Sequence, residues 1–402
     1  MAKQKKPRKD NLADQSVYED YKNAIPEEEI WTYRVEGLQA PHVNKSYKNA
    51  RTKKIIVVIV LVVAISLSIF MSVRVVHNDT YKYEDLGDGT FEFVKFSNPG
   101  GILELNVSYA DDDTKKPISV IHEYAFNCDE QIQKISIGPR VKQIDGKSFY
   151  SCYALREIRV DPENEWYCDL DGVLYTKDLT QVVCYPIDHD AYLREKYGYE
   201  EQYWPTENWK KDGLDKYNDK YTEKYEREIN TYVLPDTVKT VGMLAFNYSE
   251  LFRVYLPEGL ETLETMCFFR NWHLEKVFSY AGEKPAEQTG AVPTKDVKDS
   301  LPDSLKTIGS DCFNSAIEMD YMYIPANVTE IGHHAFWGAA RKEDGGLIGL
   351  YEIYAALDED AFKAQVKTGD QWTGEYDGKL FPKTVPVVYG KARGETNAQQ
   401  SD

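Results

Sequence analysis

Six cysteines, seven histidines and a handful of acidic clusters are where this 402-residue chain has chemistry to offer. The cysteines stand at 128, 152, 168, 184, 267 and 312, with no CxxC spacing for zinc. Cys267 and Cys312 each precede a Phe, a setting that suits a small buried thiol. Cys168 and Cys184 flank one expected hairpin and form the best disulfide pair on sequence. Asp188-His189-Asp190 and Asp111-Asp112-Asp113 offer oxygen ligands to a hard cation, but neither has further ligands at a defined spacing, so solvated loops are the simpler reading. Asp169-Leu170-Asp171-Gly172 begins like a calcium loop and lacks its closing Glu. GxSxG, HExxH and a phosphate-cradling Gly-rich loop are absent from the sequence, so no catalytic residue, metal or cofactor is assigned.

Aromatic residues offer recognition instead of reaction. Tyr217, Tyr221 and Tyr225 fall at i, i+4 and i+8, which puts three rings on one helical face. Two uses stay open. The stripe packs on the flank of the fold, or it joins Tyr199, Tyr203, Trp204 and Trp209 as a protein-binding patch, since Tyr and Trp dominate interface hot spots.

The elements that would position these groups begin with an apolar run. Ile55 to Val73 carries no charge, Pro or Gly, which predicts a transmembrane signal-anchor helix over 55–76. Residues 1–54 hold 12 Lys and Arg against 8 Asp and Glu, so the tail is placed in the cytoplasm and the C-terminal part outside the cell. The tail reads as disordered, with a cytoplasmic docking partner as its functional alternative. The whole chain carries a formal charge of −18, and +4 on the tail leaves −22 beyond the apolar run, which argues against nucleic acid.

Beyond the apolar run a unit of about 23 residues recurs, in which an aliphatic residue precedes a Phe by five positions. The pairs are Ile121/Phe126, Ile144/Phe149, Val241/Phe246, Leu263/Phe268, Ile308/Phe313 and Ile331/Phe336, with a degenerate seventh at Leu357/Phe362. A small residue always stands before Phe in the first six: Ala125, Ser148, Ala245, Cys267, Cys312 and Ala335. Alternating strands follow, such as Ile135-Ser136-Ile137 and Val254-Tyr255-Leu256, so Tyr255 and Tyr323 are expected to point outward from a strand ladder. The pattern predicts a solenoid whose coils bury their apolar edges only against each other.

At these residues the sequence resembles the BspA-type leucine-rich repeats of bacterial surface proteins. The phrases VIHEYAFNCDEQIQKISIGP, TVGMLAFNYSELFRVYLP and EIGHHAFWG carry the resemblance, as does the hairpin Asp171–Tyr175 answered by Val182–Pro186. It implies a mainly β fold with short helical turns, a leucine-rich-repeat solenoid ectodomain with a β cap, which the apolar run precedes with the one expected transmembrane helix. The expected organisation is a tail (1–54), the spanning helix (55–76), a linker and N-terminal cap (77–116), first repeats and hairpin (117–186), a Tyr/Trp-rich insertion (187–230), repeats (231–278), a flexible loop (279–300), repeats and C-terminal cap (301–390) and a polar tail (391–402). The resemblance implies a bacterial, cell-surface, non-catalytic role in binding or adhesion, and with the apolar run as its anchor the expected function is a membrane-anchored protein that binds an extracellular protein or glycan. An envelope scaffold and, behind it, a surface hydrolase are the alternatives.

Overall fold

The computed structural model describes residues 81–394, apart from 99, 112–113, 127–128, 199–228, 283–292, 294–296, 320, 344–345 and 375–383. The fold is a mainly β solenoid. Its coils begin on two-residue strands, Gln143–Ile144, Thr240–Val241, Thr262–Leu263, Thr307–Ile308, Glu330–Ile331 and Lys367–Thr368. The last five form one parallel ladder through four successive pairings, so Val241, Leu263, Ile308 and Ile331 enter the core at the same height. These strands stay short because the chain must turn at once to bring Phe inward five residues later.

That Phe forms the spine. Phe246 and Phe268, then Phe268 and Phe313, then Phe313 and Phe336, stack with centroids 5.1, 5.4 and 5.4 Å apart, and all four rings are fully buried. The small residue before Phe has a backbone reason. Its carbonyl accepts the amide of the preceding coil's Phe, as in Phe246 N to Cys267 O (2.8 Å), Phe268 N to Cys312 O (3.0 Å) and Phe313 N to Ala335 O (2.7 Å). In the coils of Phe246, Phe268, Phe313 and Phe336 two backbone positions are left-handed, two residues before and two after Phe, as at Leu244 and Tyr248, and at Met266 and Arg270. Bulky residues pay strain there, and its recurrence shows that the coil itself requires the conformation. Close approach dictates Gly332, where an added Cβ would sit 2.2 Å from Ser310 N.

The second strand of each coil builds the outer ladder in three parallel groups. Glu104–Val107, Lys134–Ile137 and Glu157–Val160 form the first. Thr231–Val233, Arg253–Pro257 and Lys276–Tyr280 form the second, and Tyr321–Ile324, Glu352–Ala355 and Val387–Tyr389 the third. Glu104–Val107 is thus the first rung of the solenoid, whereas the sequence placed it in the cap. The cap sheet is built from Tyr81–Asp85, Phe91–Phe96, Lys116–Ile121 and Tyr109–Asp111. It joins the spine through Phe93, 5.2 Å from Phe126.

The expected hairpin is a three-stranded meander, Tyr167–Leu170, Val173–Thr176 and Gln181–Cys184. Its last two strands are buried on both faces, so Leu174, Val183 and Cys184 pack on the N-terminal core while Val173, Tyr175 and Val182 pack on the C-terminal one. The spine restarts beyond it on Tyr185, stacked 5.2 Å from Phe246. At the far end the degenerate seventh repeat departs from the pattern. Phe362 lies on helix α2, Glu359–Gln365, which is capped by Asp358 Oδ1 on Ala361 N (2.9 Å). The ladder strand follows it, and the Trp372 ring packs between Phe336 (6.2 Å) and Phe362 (5.9 Å).

The transmembrane expectation is corrected. No helix among the described residues is long and apolar enough to cross a membrane. Among the described residues the longer of the two α-helices, α1, His189–Tyr197, has nine residues and reaches ~14 Å against the ~30 Å of a bilayer core. The tail 1–54 and the span 55–76 lie outside the described residues. The fold class is therefore a mainly β repeat solenoid without a shown membrane helix. The single-pass anchorage, the membrane as partner and the cell-membrane localisation are set aside with it.

Candidate binding surface

Exposed aromatic side chains gather on the turn edge of the solenoid. Tyr124 and Tyr150 meet edge to face at 6.4 Å, and Tyr150 lies 6.4 Å from Tyr248. Tyr248 is the hub, with Tyr153 at 5.3 Å, Trp272 at 5.8 Å and Phe269 at 6.0 Å around it. The hub is only 9% exposed, while Tyr124, Tyr153 and Trp272 are 41, 44 and 41% exposed. A buried centre with exposed flanks is the anatomy of a docking surface.

Cations fix the rings. Arg270 donates to the Tyr248 hydroxyl (2.8 Å) and its guanidinium lies over both Tyr248 and Phe269, 5.5 and 5.2 Å from their centroids. Burial pushes the Tyr248 phenol well above its ordinary range, so it stays neutral. Lys147 lies 5.6 Å over Tyr124 and donates to Glu123 (2.9 Å). That hydrogen bond holds the Glu123 carboxyl below its ordinary value and the Lys147 ammonium above its own.

The sequence carries a signal for this strip. Tyr150 and Phe269 follow a spine Phe by one position, and Tyr153 and Trp272 by four, so the same coil offsets repeat on different coils. These turn positions lie outside the buried Phe and aliphatic positions that define the repeat.

Of the expected binding residues, Tyr203, Trp204, Trp209, Tyr217, Tyr221 and Tyr225 lie outside the described residues. Tyr255 and Tyr323 stand on the outer strands, as expected, but they are covered: 8 and 9% exposed. Tyr255 stacks on Phe278 at 4.9 Å, and the Arg393 guanidinium lies 4.5 Å over Tyr323. Arg393 comes from the segment expected to be a polar tail. Strand Val297–Asp299, at the end of the expected flexible loop, pairs antiparallel with Lys276–Tyr280.

Cys168 and Cys184 are free thiols. The structure does not bring them together, since they pair with Tyr175 and Leu174 from opposite sides of strand Val173–Thr176 and belong to opposite faces. Cys267 and Cys312 are buried side by side, Sγ to Sγ 3.2 Å, as free thiols at the small core position.

Among the described residues no group of three or more His, Cys, Asp and Glu is arranged to hold a metal. The Asp188-His189-Asp190 run serves as the start of α1: His189 Nδ1 bonds Arg156 O at 2.8 Å, Asp188 pairs with Arg156 at 2.9 Å and Asp190 with Arg194. Burial lowers His189 to about 4 and raises Asp190 to about 6. Glu250 is likewise pushed up by burial and faces His273 at 3.3 Å, with Glu318 on the other ring nitrogen at 3.5 Å. Raised carboxyls are what a hydrolase needs, but Asp190 is committed to Arg194 and Glu250 to the His273 ring.

The model of the BspA-type leucine-rich repeat region matches in six copies over residues 108–167 and 220–342. The intervening gap contains the meander, α1 and the Tyr/Trp-rich insertion. The sequence matches no curated protein. Similar solved structures include a leucine-rich cell surface protein of Faecalibacterium prausnitzii, with 16% identity, TM-score 0.36, and coverage of 71% of this chain and 60% of that one. The pneumococcal vaccine antigen PcpA is 17% identical with TM-score 0.33, covering 72% of this chain and 67% of that one. A leucine-rich-repeat protein of Bacteroides ovatus is 15% identical with TM-score 0.34, covering 77 and 70% respectively. This chain thus spans less than two thirds of the Faecalibacterium protein. With a Phe spine, a two-residue inner strand and an outer ladder strand in each coil, matched by the family model over those spans, the repeats of this chain are BspA-type leucine-rich repeats.

Proposed function

We propose that this protein is a non-catalytic extracellular binding protein that takes a protein partner on the aromatic strip centred on Tyr248. The BspA-type repeat fold is a binding scaffold and not a catalytic one. The observation that carries the reading is the ring cluster around a buried Tyr248, contributed by four coils and rimmed by Arg270 and Lys147. Such a surface supplies large apolar area at low conformational cost, which is what a hot spot needs. The outer ladder supports this reading less well, because its aromatic residues are already packed or latched.

Full-length protein binding to immobilised fibronectin, fibrinogen and laminin, followed by biolayer interferometry, tests the proposal. Trp272→Ala and Tyr153→Ala each weaken the interaction by about 2 kcal/mol, roughly thirtyfold, with the thermal midpoint unchanged. Equal binding by the variants, or no binding to any of the three, rejects the strip as the site.

A further inference from the structure

We propose a second, separate site: a cleft near the N-terminal cap that binds a neutral saccharide chain. The cleft has a volume of about 580 Å³, inside the usual range for small-ligand sites, and is lined by Tyr109, Lys115, Arg140, Glu163, Glu165 and Trp166 together with two prolines. Trp166 is 38% exposed, a large ring left in solvent at the cleft wall. Among the described residues Arg140, Glu163 and Glu165 enter no ion pair, so their donors and acceptors are uncommitted. Lys115 lies over Tyr109, 4.8 Å from its centroid, on a long side chain able to swing aside.

The wall is preorganised by one buried residue. Asn164, 1% exposed, donates to Gly138 O (2.8 Å) and Val141 O (2.9 Å) and accepts from Trp166 N and Tyr167 N (2.8 Å each). All four of its hydrogen-bonding positions are used, which ties the turn carrying Glu163, Glu165 and Trp166 to the turn carrying Arg140. Trp166 O also accepts Lys177 N (2.7 Å), so the backbone at the indole is held from both sides. A site fixed in advance loses little entropy when a ligand arrives.

The chemistry selects the ligand. Two cations and two carboxylates cancel in the lining, so a polyanion or a polycation meets repulsion from half of it. A sugar ring instead presents an apolar C–H face for an indole or phenol and a rim of hydroxyls that both donate and accept. Glu163 and Glu165 accept from those hydroxyls, and Arg140 and Lys115 donate to them. The cleft is half open to solvent and larger than one sugar ring, which suits a chain more than a free monosaccharide.

Isothermal titration and saturation-transfer NMR of the full chain with cellohexaose, maltohexaose and N-acetylchitohexaose test this. At least one binds with Kd below about 1 mM, Trp166→Ala weakens it at least about tenfold, and Trp166→Phe, which keeps a flat ring, restores most of the loss. Glu163→Gln with Glu165→Gln lowers affinity with the melting curve unchanged, which separates ligand contact from folding. Trp272→Ala leaves saccharide binding intact, so failure here and failure of the Tyr248 strip are distinguishable. Absence of binding to all three oligosaccharides, undiminished binding by Trp166→Ala, or tighter binding to heparin or polylysine than to any of them overturns the proposal.

Discussion

Phe268 and Phe313 stack with centroids 5.4 Å apart and planes only 5° apart, although 45 residues separate them. The insertion between them leaves the coil spacing untouched because it leaves after one outer strand, Lys276–Tyr280, and returns before the next inner strand, Thr307–Ile308. The spine is therefore continuous where the sequence is not, and each ring is supported on two sides.

Phe268→Ala removes a ring stacked on both Phe246 and Phe313 and leaves a cavity the neighbouring coils cannot close. A loss of about 3–5 kcal/mol is expected, read from urea unfolding as a lower midpoint. Phe362→Ala, at the end of the stack on α2, costs less, because only the last coil relaxes around it.

Gly332→Ala places a Cβ 2.2 Å from Ser310 N and 2.6 Å from Gly309 C, all backbone on the adjacent coil. Neither coil can give way without parting the ladder. The variant loses about 1–3 kcal/mol or more, and hydrogen exchange quickens first in Thr307–Ile308 and Glu330–Ile331.

Arg393 latches the last segment on the outer ladder. It donates to Asp299 O, to Leu301 O (2.7 Å) and to Asp303 (2.6 Å) while covering Tyr323. Arg393→Ala lowers stability by about 1–2 kcal/mol and exposes Tyr323 to iodination. Arg393→Lys recovers little, since a point-like ammonium cannot span three acceptors.

His189 and Asp190 pull stability in opposite directions with pH. His189, lowered to about 4, stays neutral in the fold, so its contribution is full above its ordinary 6.5 and is lost as pH falls from there toward 4. Asp190, raised to about 6, binds its proton more tightly when folded, so stability rises as pH falls from 6 toward its ordinary 3.8. The two slopes largely cancel between 4 and 6. His189→Gln, which keeps a donor for Arg156 O, unmasks Asp190. Relative to the parent, the variant gains about 2–3 kcal/mol on going from pH 7 to pH 4.5 in paired urea titrations, and parallel curves refute the assignment.

Sequence alone determined the repeat. Period, the aliphatic residue five before Phe, and the small residue before Phe are local patterns enforced coil by coil, so they are visible without knowing where any coil lies. The cap and the hairpin were expected from the family resemblance, and the structure changes both: Glu104–Val107 joins the outer ladder and the hairpin gains the strand Tyr167–Leu170, because pairing partners are chosen by distant strands. Only the tertiary structure decided which aromatic residues meet solvent. Tyr255 and Tyr323 alternate outward as their strands dictate, yet Phe278 and Arg393 cover them. Tyr150 and Tyr248, 98 residues apart, stand 6.4 Å from each other although the whole meander lies between them in sequence. Exposure and juxtaposition depend on every segment that passes nearby, whereas the spine depends only on the coil above and the coil below.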